Sequence, residues 1–244
     1  DPNRWSDRMA HHTIDPRNPE SIGLVRSLID QYAPCFESDW FNICCDETFD
    51  LKHCTDNPAE TGRLYVDFVK QIVTHTQSLG KKVMMWADIL LEHPETIGEL
   101  PDDVMFLNWY YHKDAEQMER MISTLANLGC KQIVCPGTTT WNRFCEKYET
   151  EVPNILGMIR LGHKYGAEGV LNTNWGDWGN PCSLELGMFG MVLGAAASWN
   201  VTTENDEAFH SAVNALLYGS SNGMEVLQRV SHIQNQIQWK SFIR

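Results

Sequence analysis

Phe41-Asn42-Ile43-Cys44-Cys45-Asp46-Glu47-Thr48-Phe49-Asp50-Leu51 is the stretch on which the reading of this chain turns, a short apolar run that stops on two adjacent acids. Apolar or small residues ending at a carboxylate pair predict a buried parallel strand with chemistry at its C-terminal end, where parallel α/β folds keep their sites.

Upstream of that strand, Ile22, Val25, Leu28 and Ile29 share one face of a helix predicted over Pro19–Phe36. Downstream, a helix from about Glu60 repeats Leu64, Phe68 and Ile72 every four residues and stops at Gly80. Lys82 to Asp88 reads as a second strand, Pro94 to Leu100 as a short helix and Val104 to Trp109 as a third strand. Met118, Met121, Ile122, Leu125 and Leu128 mark a helix stopped by Gly129, and Gln132 to Cys135 is a fourth strand running into Pro136-Gly137-Thr138-Thr139-Thr140-Trp141-Asn142. A helix through Ile155, Met158, Ile159 and Tyr165 reaches Gly166, and Gly169 to Trp175 is a fifth strand. From Leu184 onward the pattern is helical, with a small-residue segment from Gly187 to Ala197.

Nearly all-apolar strands alternating with glycine-stopped helices are the signature of parallel βα units, so the expected class is α/β. An open doubly wound sheet and a closed (β/α)8 TIM barrel both fit that alternation. The absence of GxGxxG and GxxxxGK[ST] from the sequence favours the barrel. Five strands are legible where a barrel needs eight, so the chain is expected to supply about strands 4 to 8, with three strands upstream in a missing N-terminal segment of the same protein. On this reading residues 1–203 form the C-terminal part of a catalytic barrel and 204–244 a helical extension, with barrel closure and a homodimer contact both open as its use.

Composition narrows the partners. Nineteen basic against 32 acidic residues give a net charge of -13, which repels phosphate backbones and anionic membranes, so neither nucleic acid nor membrane is expected. No apolar run approaches the roughly 18 to 20 residues that a membrane span requires, and Asp1-Pro2-Asn3-Arg4 is followed by no apolar signal core. The eight cysteines show no CxxC or CxxH pairing and are expected to be buried free thiols, which points to a reducing, cytoplasmic setting.

The predicted strand ends carry Asp46 and Glu47, then Trp86 and Asp88, Trp109 with Tyr110 and Tyr111, Trp141 with Asn142, and Trp175, Asp177 and Trp178. Aromatic rings stack on the apolar C–H faces of sugars while carboxylates and amides pair with hydroxyls, so this inventory predicts a pyranose pocket. A metal centre is not expected, because His53, His75, His93 and His163 fall in loops or helices and only His112 comes near the rim. A serine nucleophile lacks a GxSxG elbow.

Neighbouring acids at one strand end share a side, whereas ordinary glycosidases place their carboxyls across the scissile bond, about 5 to 9.5 Å apart. Asp46 and Glu47 therefore suit a reaction in which the substrate supplies the nucleophile through an N-acetyl carbonyl. Glu47 would protonate the leaving oxygen and later activate water, while ionised Asp46 would hold the acetamide N–H and stabilise the oxazolinium. That division predicts a raised pKa for Glu47 and an ordinary one for Asp46.

Asn42 to Glu47, Val83 to Ile89, Cys135 to Asn142 and Leu171 to Gly179 together, in this order, resemble glycoside hydrolase family 20, the β-N-acetylhexosaminidases, in the branch containing hexosaminidase D and similar bacterial exo-enzymes. The likeness runs from about Thr13 to Asn200, and in that family the Asp-Glu pair ends the fourth barrel strand. The resemblance implies a retaining exo-β-N-acetylhexosaminidase acting on terminal GlcNAc or GalNAc without cofactor or metal. It makes Asp46 the acetamide-orienting residue and Glu47 the acid/base. Trp86, Trp109 and Trp175 become pocket walls, and Asp177 a ligand for distal hydroxyls. The tyrosine that better-known members use on the acetyl carbonyl has no counterpart near Thr140, so Tyr111 is assigned that contact; Asn142 stands where those members have an acid. Asp88, Trp141 and Trp178 complete the expected substrate-binding set. A carbohydrate-binding relative without turnover is the alternative.

Overall fold

The computed structural model describes residues 13–235; the Asp1 to Arg4 start and the last part of the helical extension lie outside the described residues, as does the side chain of Trp178. Five strands succeed one another in chain order, β1 (Trp40–Asn42), β2 (Lys82–Trp86), β3 (Met105–Trp109), β4 (Lys131–Cys135) and β5 (Gly169–Val170). Before, between and after them run α1 (Pro19–Tyr32), α2 (Pro58–Ser78), α3 (Asp88–Glu92), α4 (Ala115–Asn127), α5 (Tyr148–Lys164), α6 (Met188–Trp199), α7 (Glu207–Val213) and α8 (Gly223–Gln234). The expected parallel α/β class is what forms. No described helix is long and apolar enough to cross a membrane.

The helix boundaries follow local chemistry. Asn18 caps α1 and Asn57 caps α2, each accepting the N–H two residues on and each followed by a proline whose missing N–H costs nothing in the first turn. Gly80, Gly129 and Gly166, the three predicted stops, all have positive φ, the left-handed geometry that ends a helix cheaply.

The chain divides into two compact units, one made of the chain up to Asn108 with Thr124–Gln132, the other of Trp109–Ser123 with the chain from Ile133 onward. In the first, β1 pairs with β2 and β2 with β3, all parallel, and one face of α2 (Tyr65, Val66, Val69, Val73) packs with Val83, Met85, Leu90 and Phe106 in a buried core. Each such side chain contributes about 1.5 to 3 kcal/mol on burial. In the second, β4 pairs with β5, Met118, Ile122, Val134 and Met158 form one cluster, and Ile155, Ile159, Phe189, Leu193, Val213 and Leu227 form another. The residues beyond Thr203 thus contribute core side chains of their own.

Two strands are shorter than the sequence predicts. β1 stops at Asn42 because Cys44 (φ 61°) and Cys45 (φ 69°) turn left-handed, although Ile43 N–H still reaches the Met84 carbonyl at 2.9 Å and Trp86 N–H the Cys44 carbonyl at 3.0 Å. The fifth strand ends as a regular ladder at Val170 rather than Trp175. Its continuation keeps the bonds Leu171 N–H to Val134 O, Thr173 N–H to Pro136 O and Thr138 N–H to Thr173 O. The rung between them needs a donor at Pro136, which has no N–H. Asp88, expected at the end of the second strand, opens α3 instead.

All eight cysteines are free; Cys135, Cys145 and Cys182 are buried as expected, whereas Cys35 and Cys44 are exposed.

Candidate active site

In the first unit the acids stand on a strained turn. Cys44, Cys45 and Glu47 (φ 49°) all adopt positive φ, a conformation that costs a non-glycine residue roughly 1 to 2 kcal/mol each and persists only where its surroundings impose it. The impositions are visible. Asn42 Oδ1 accepts the Cys44 N–H at 2.9 Å, and the buried Tyr65 hydroxyl donates to the Cys45 carbonyl at 2.7 Å. Asp88 Oδ2 accepts the Glu47 N–H at 2.9 Å. Thr13 and Asp50 exchange two bonds, Thr13 N–H to the Asp50 carboxylate at 3.0 Å and Asp50 N–H to the Thr13 hydroxyl at 3.1 Å, which tie down the far end of the loop.

Asp46 and Glu47 border a cavity of about 240 Å³ whose other walls, including Ile43, Leu51, Tyr65 and Phe68, are mainly apolar. Burial in these surroundings raises the Asp46 carboxyl pKa, opposed only by its backbone hydrogen bond. The expectation that Asp46 keeps an ordinary pKa is therefore corrected: the half-buried carboxyl loses more hydration than one backbone bond restores. The neighbouring Cys45 thiol is also pushed far up, first by burial, then by the Cys44 thiol and by Asp46 and Asp88. It is not a thiolate nucleophile. Trp86, 7% exposed, belongs to the same unit.

In the second unit four of the predicted aromatic residues gather. Tyr111 stacks on Trp109 with ring centroids 5.1 Å apart and an interplanar angle of 23°, and meets Trp141 edge-on at 4.9 Å. Trp175, 38% exposed, donates its indole N–H to the Tyr111 hydroxyl at 2.9 Å. Gly137 has to be glycine here: an added Cβ would lie 2.8 Å from the Tyr111 ring, 3.0 Å from the Trp141 ring and 3.1 Å from the Thr173 hydroxyl. Asn142 is partly buried with positive φ (61°), its Oδ1 enclosed without a hydrogen-bond partner among the described residues. Asp177 is exposed, on a short 3-10 turn (Asp177–Gly179) that also carries Trp178.

Beneath the group lies a residue that the sequence reading passed over. Asn154, on α5 and fully buried, donates through Nδ2 to the carbonyls of Tyr110 at 2.7 Å and His112 at 2.9 Å, and its Oδ1 accepts the Gly137 N–H at 3.1 Å. The signal was an amide set among Ile155, Met158 and Ile159, directly after Pro153.

The unit also buries two acids completely. Glu146 takes the Gly190 N–H at 3.4 Å, and a Cβ on Gly190 would collide with the Glu151 carboxyl. Burial pushes Glu146 up to about 8 and Glu151 well above the usual carboxylate range, the second further raised by the charge of the first. Apart from the hydrogen bond between the two carboxyls themselves, Glu146 Oε1 and the Glu151 oxygens meet no donor among the described residues. Two carboxyls so placed share a proton rather than carry two charges. Among the described residues no group of three or more His, Cys, Asp or Glu side chains is arranged to hold a metal ion.

Comparison with known proteins follows this geometry. The chain is 22% identical over 186 residues to Hexosaminidase D of Bos taurus, an alignment that covers 67% of this chain and 54% of that protein, so the chain spans about half the length of the curated relative it matches. Among solved structures, β-N-acetylhexosaminidase from Bacteroides fragilis NCTC 9343 superposes with a TM-score of 0.60 at 15% identity, over 83% of this chain and 44% of that one. The GH20 β-N-acetylhexosaminidase of Streptomyces coelicolor A3(2) superposes with a TM-score of 0.56 at 16% identity, over 82% and 41%. Together with the five parallel strands, these likenesses give the fold as part of a (β/α)8 barrel. Residues 3–213 match the family described as "Glycosyl hydrolase family 20, catalytic domain", a span that covers most of the sequence, and the chain belongs to that family.

Proposed function

We propose that the protein carrying this chain is a retaining exo-β-N-acetylhexosaminidase that removes non-reducing terminal GlcNAc or GalNAc by substrate-assisted catalysis. The observation that carries the reading is the adjacency of Asp46 and Glu47 on a braced, strained turn, in a chain of glycosyl hydrolase family 20. In the proposed reaction Glu47 delivers a proton to the glycosidic oxygen as the acetamide oxygen of the same sugar attacks the anomeric carbon. The C–O bond breaks and an oxazolinium forms. Asp46, ionised, accepts the acetamide N–H and offsets the positive charge that develops on the ring. Glu47, now a carboxylate, takes a proton from water as that water opens the oxazolinium, so the anomeric configuration is retained.

Trp109, Tyr111, Trp141 and Trp175 are assigned to apolar contact with sugar and acetyl group, and Asp177 to hydroxyl contact. The three upstream strands of the barrel are assigned to an N-terminal segment of the same protein. The relative's name and the neighbours' titles, all hexosaminidases, support the substrate class.

The test is hydrolysis of a chromogenic β-GlcNAc glycoside beside the matching β-glucoside by the full-length protein. Cleavage of the first alone is expected; equal rates on both would refute the acetamide mechanism, and cleavage of neither would favour a binding module. Glu47→Gln is expected to abolish activity on substrates with poor leaving groups. Asp46→Asn is expected to weaken an oxazoline-mimicking inhibitor, and unchanged affinity would remove Asp46 from its role.

A further inference from the structure

We infer that Asn154 is the positioning residue that sets the aromatic sugar-contact group, by locking the segment that carries Tyr111 to the segment that leads into Trp141. The inference rests on the proposed reading of that group as a sugar-binding surface, and its geometry stands apart from the reaction chemistry.

An Asn side chain has two N–H donors and one carbonyl oxygen. In Asn154 both donors and the oxygen are engaged, and none of the bonds goes to solvent or to its own helix. The two acceptors are the carbonyls of residues 110 and 112, immediately before and after Tyr111, so the amide grips the backbone on both sides of that one residue. The donor to its oxygen is Gly137, the residue against which the Tyr111 ring and the edge of Trp141 pack. One buried amide thus fixes where Tyr111 stands relative to the chain entering Trp141. Tyr111 in turn holds Trp175 through its hydroxyl and Trp109 through stacking.

A packing residue in the first half of α5 would serve as well if it were leucine, like its neighbours in the same helix. Asparagine is required because one side chain here meets three backbone groups of that interior at once, and a buried group left unpaired costs more than a bond gained at the surface. These segments lack regular secondary structure, so their shape is set by whatever satisfies those groups.

The experiment uses the full-length protein with Asn154→Asp. Deprotonated, the aspartate presents negative charge to two carbonyls and repels them; protonated, it offers one O–H to a carbonyl and keeps an oxygen for Gly137. The expected result is a KM for the β-GlcNAc glycoside raised about tenfold or more at neutral pH, recovering toward the native value as pH falls, with kcat changed less than KM. The near-ultraviolet circular dichroism of the aromatic residues is expected to change over the same pH range, while the far-ultraviolet spectrum stays native. In a Tyr111→Phe background the KM effect is expected to shrink, because the two changes act on one contact.

A folded Asn154→Asp protein whose KM and near-ultraviolet spectrum match the native protein at every pH overturns the inference, as does full additivity with Tyr111→Phe. Should that variant fail to fold, Asn154→Ser, which keeps one donor and one acceptor and does not titrate, supplies the KM, near-ultraviolet and Tyr111→Phe coupling readouts at a single pH, and a native KM and spectrum there overturn the inference. Failure of the functional reading is distinct: the native protein would then neither cleave nor bind the glycoside, while the near-ultraviolet change would still report the lock.

Discussion

Asp88 Oδ2 takes the backbone N–H of Glu47 at 2.9 Å, so an acid at the first turn of one helix fixes the main chain of the proposed proton donor one strand away. A hydrogen bond donated to a charged group is worth about 1.5 to 3 kcal/mol, and the bond to Asp88 also holds a residue at positive φ. Asp88→Ala is expected to lower kcat by roughly ten- to a hundredfold with a smaller change in KM, and Asp88→Asn, which retains an acceptor, by less. Steady-state kinetics on the chromogenic glycoside decide this, and an unaltered kcat in Asp88→Ala would detach the bond from catalysis.

The raised pKa of Asp46 has a kinetic consequence. Its proposed role needs the carboxylate, so activity should fall as pH drops through a pKa above the ordinary aspartate value. The acid limb of kcat/KM is therefore expected at higher pH than an exposed aspartate would set. For stability the sign is opposite: a carboxyl whose folded pKa is raised favours folding most when protonated, and that contribution is lost as pH rises through the folded value. An acid limb that persists unshifted in Asp46→Asn would assign it to another group.

Cys44 is exposed and holds φ 61°, so its strain can be relieved with little loss of packing. Cys44→Gly is expected to raise stability by about 1 kcal/mol, whereas the β-branched Cys44→Val should lower it. Thermal or urea unfolding of the two variants gives the comparison, and a less stable Cys44→Gly would show that the turn is not strained there.

The buried Glu146 and Glu151 pair should make the protein lose stability as pH rises from the usual carboxylate range toward about 8. The native state keeps protons that the unfolded chain releases near the usual carboxylate value, so between that value and about 8 each retained proton tilts stability downward by on the order of 1 kcal/mol per pH unit. Tyr218, Cys145 and Cys182 feel the same pair, and all three are held protonated, mainly by burial. Glu151→Gln is expected to flatten the slope, since an amide donates to Glu146 without titrating. Urea midpoints measured across that range test it, and parallel curves for native protein and variant would mean the pair does not carry the slope.

The Trp175 indole N–H donates to the Tyr111 hydroxyl, a polar link within the aromatic group. Removing the hydroxyl in Tyr111→Phe frees the Trp175 ring and is expected to raise KM several-fold with a blue or red shift of tryptophan emission on sugar binding that differs from the native protein. Identical titration curves would place Trp175 under other control.

Much of the architecture was legible from periodicity alone. Pro19 to Tyr32, Pro58 to Ser78 and Ala115 to Asn127 are helices because their apolar residues recur on one face, and glycines 80, 129 and 166 end the units where left-handed geometry is needed. The strand ends were less legible. Nothing in Ile43-Cys44-Cys45-Asp46-Glu47 lacks a Cβ, so nothing in its composition announces three residues at positive φ. That geometry is imposed by Tyr65, Asp88 and Asn42, two of them remote in the chain. The shortened fifth strand depends on Pro136, whose missing N–H matters only once its partner strand is known.

The amino-acid sequence by itself determined the alternation of apolar strands and one-faced helices, the adjacency of Asp46 and Glu47 and the kinship with glycosyl hydrolase family 20, because these reside in periodicity and in residue order. Only the tertiary structure decided that burial raises Asp46, that Asp88 braces Glu47, that four aromatic rings meet and that Asn154 grips the backbone around Tyr111. Solvent exclusion and the hydrogen bonds of irregular backbone depend on which distant residues the fold brings within 3 Å, a relation that linear order does not carry.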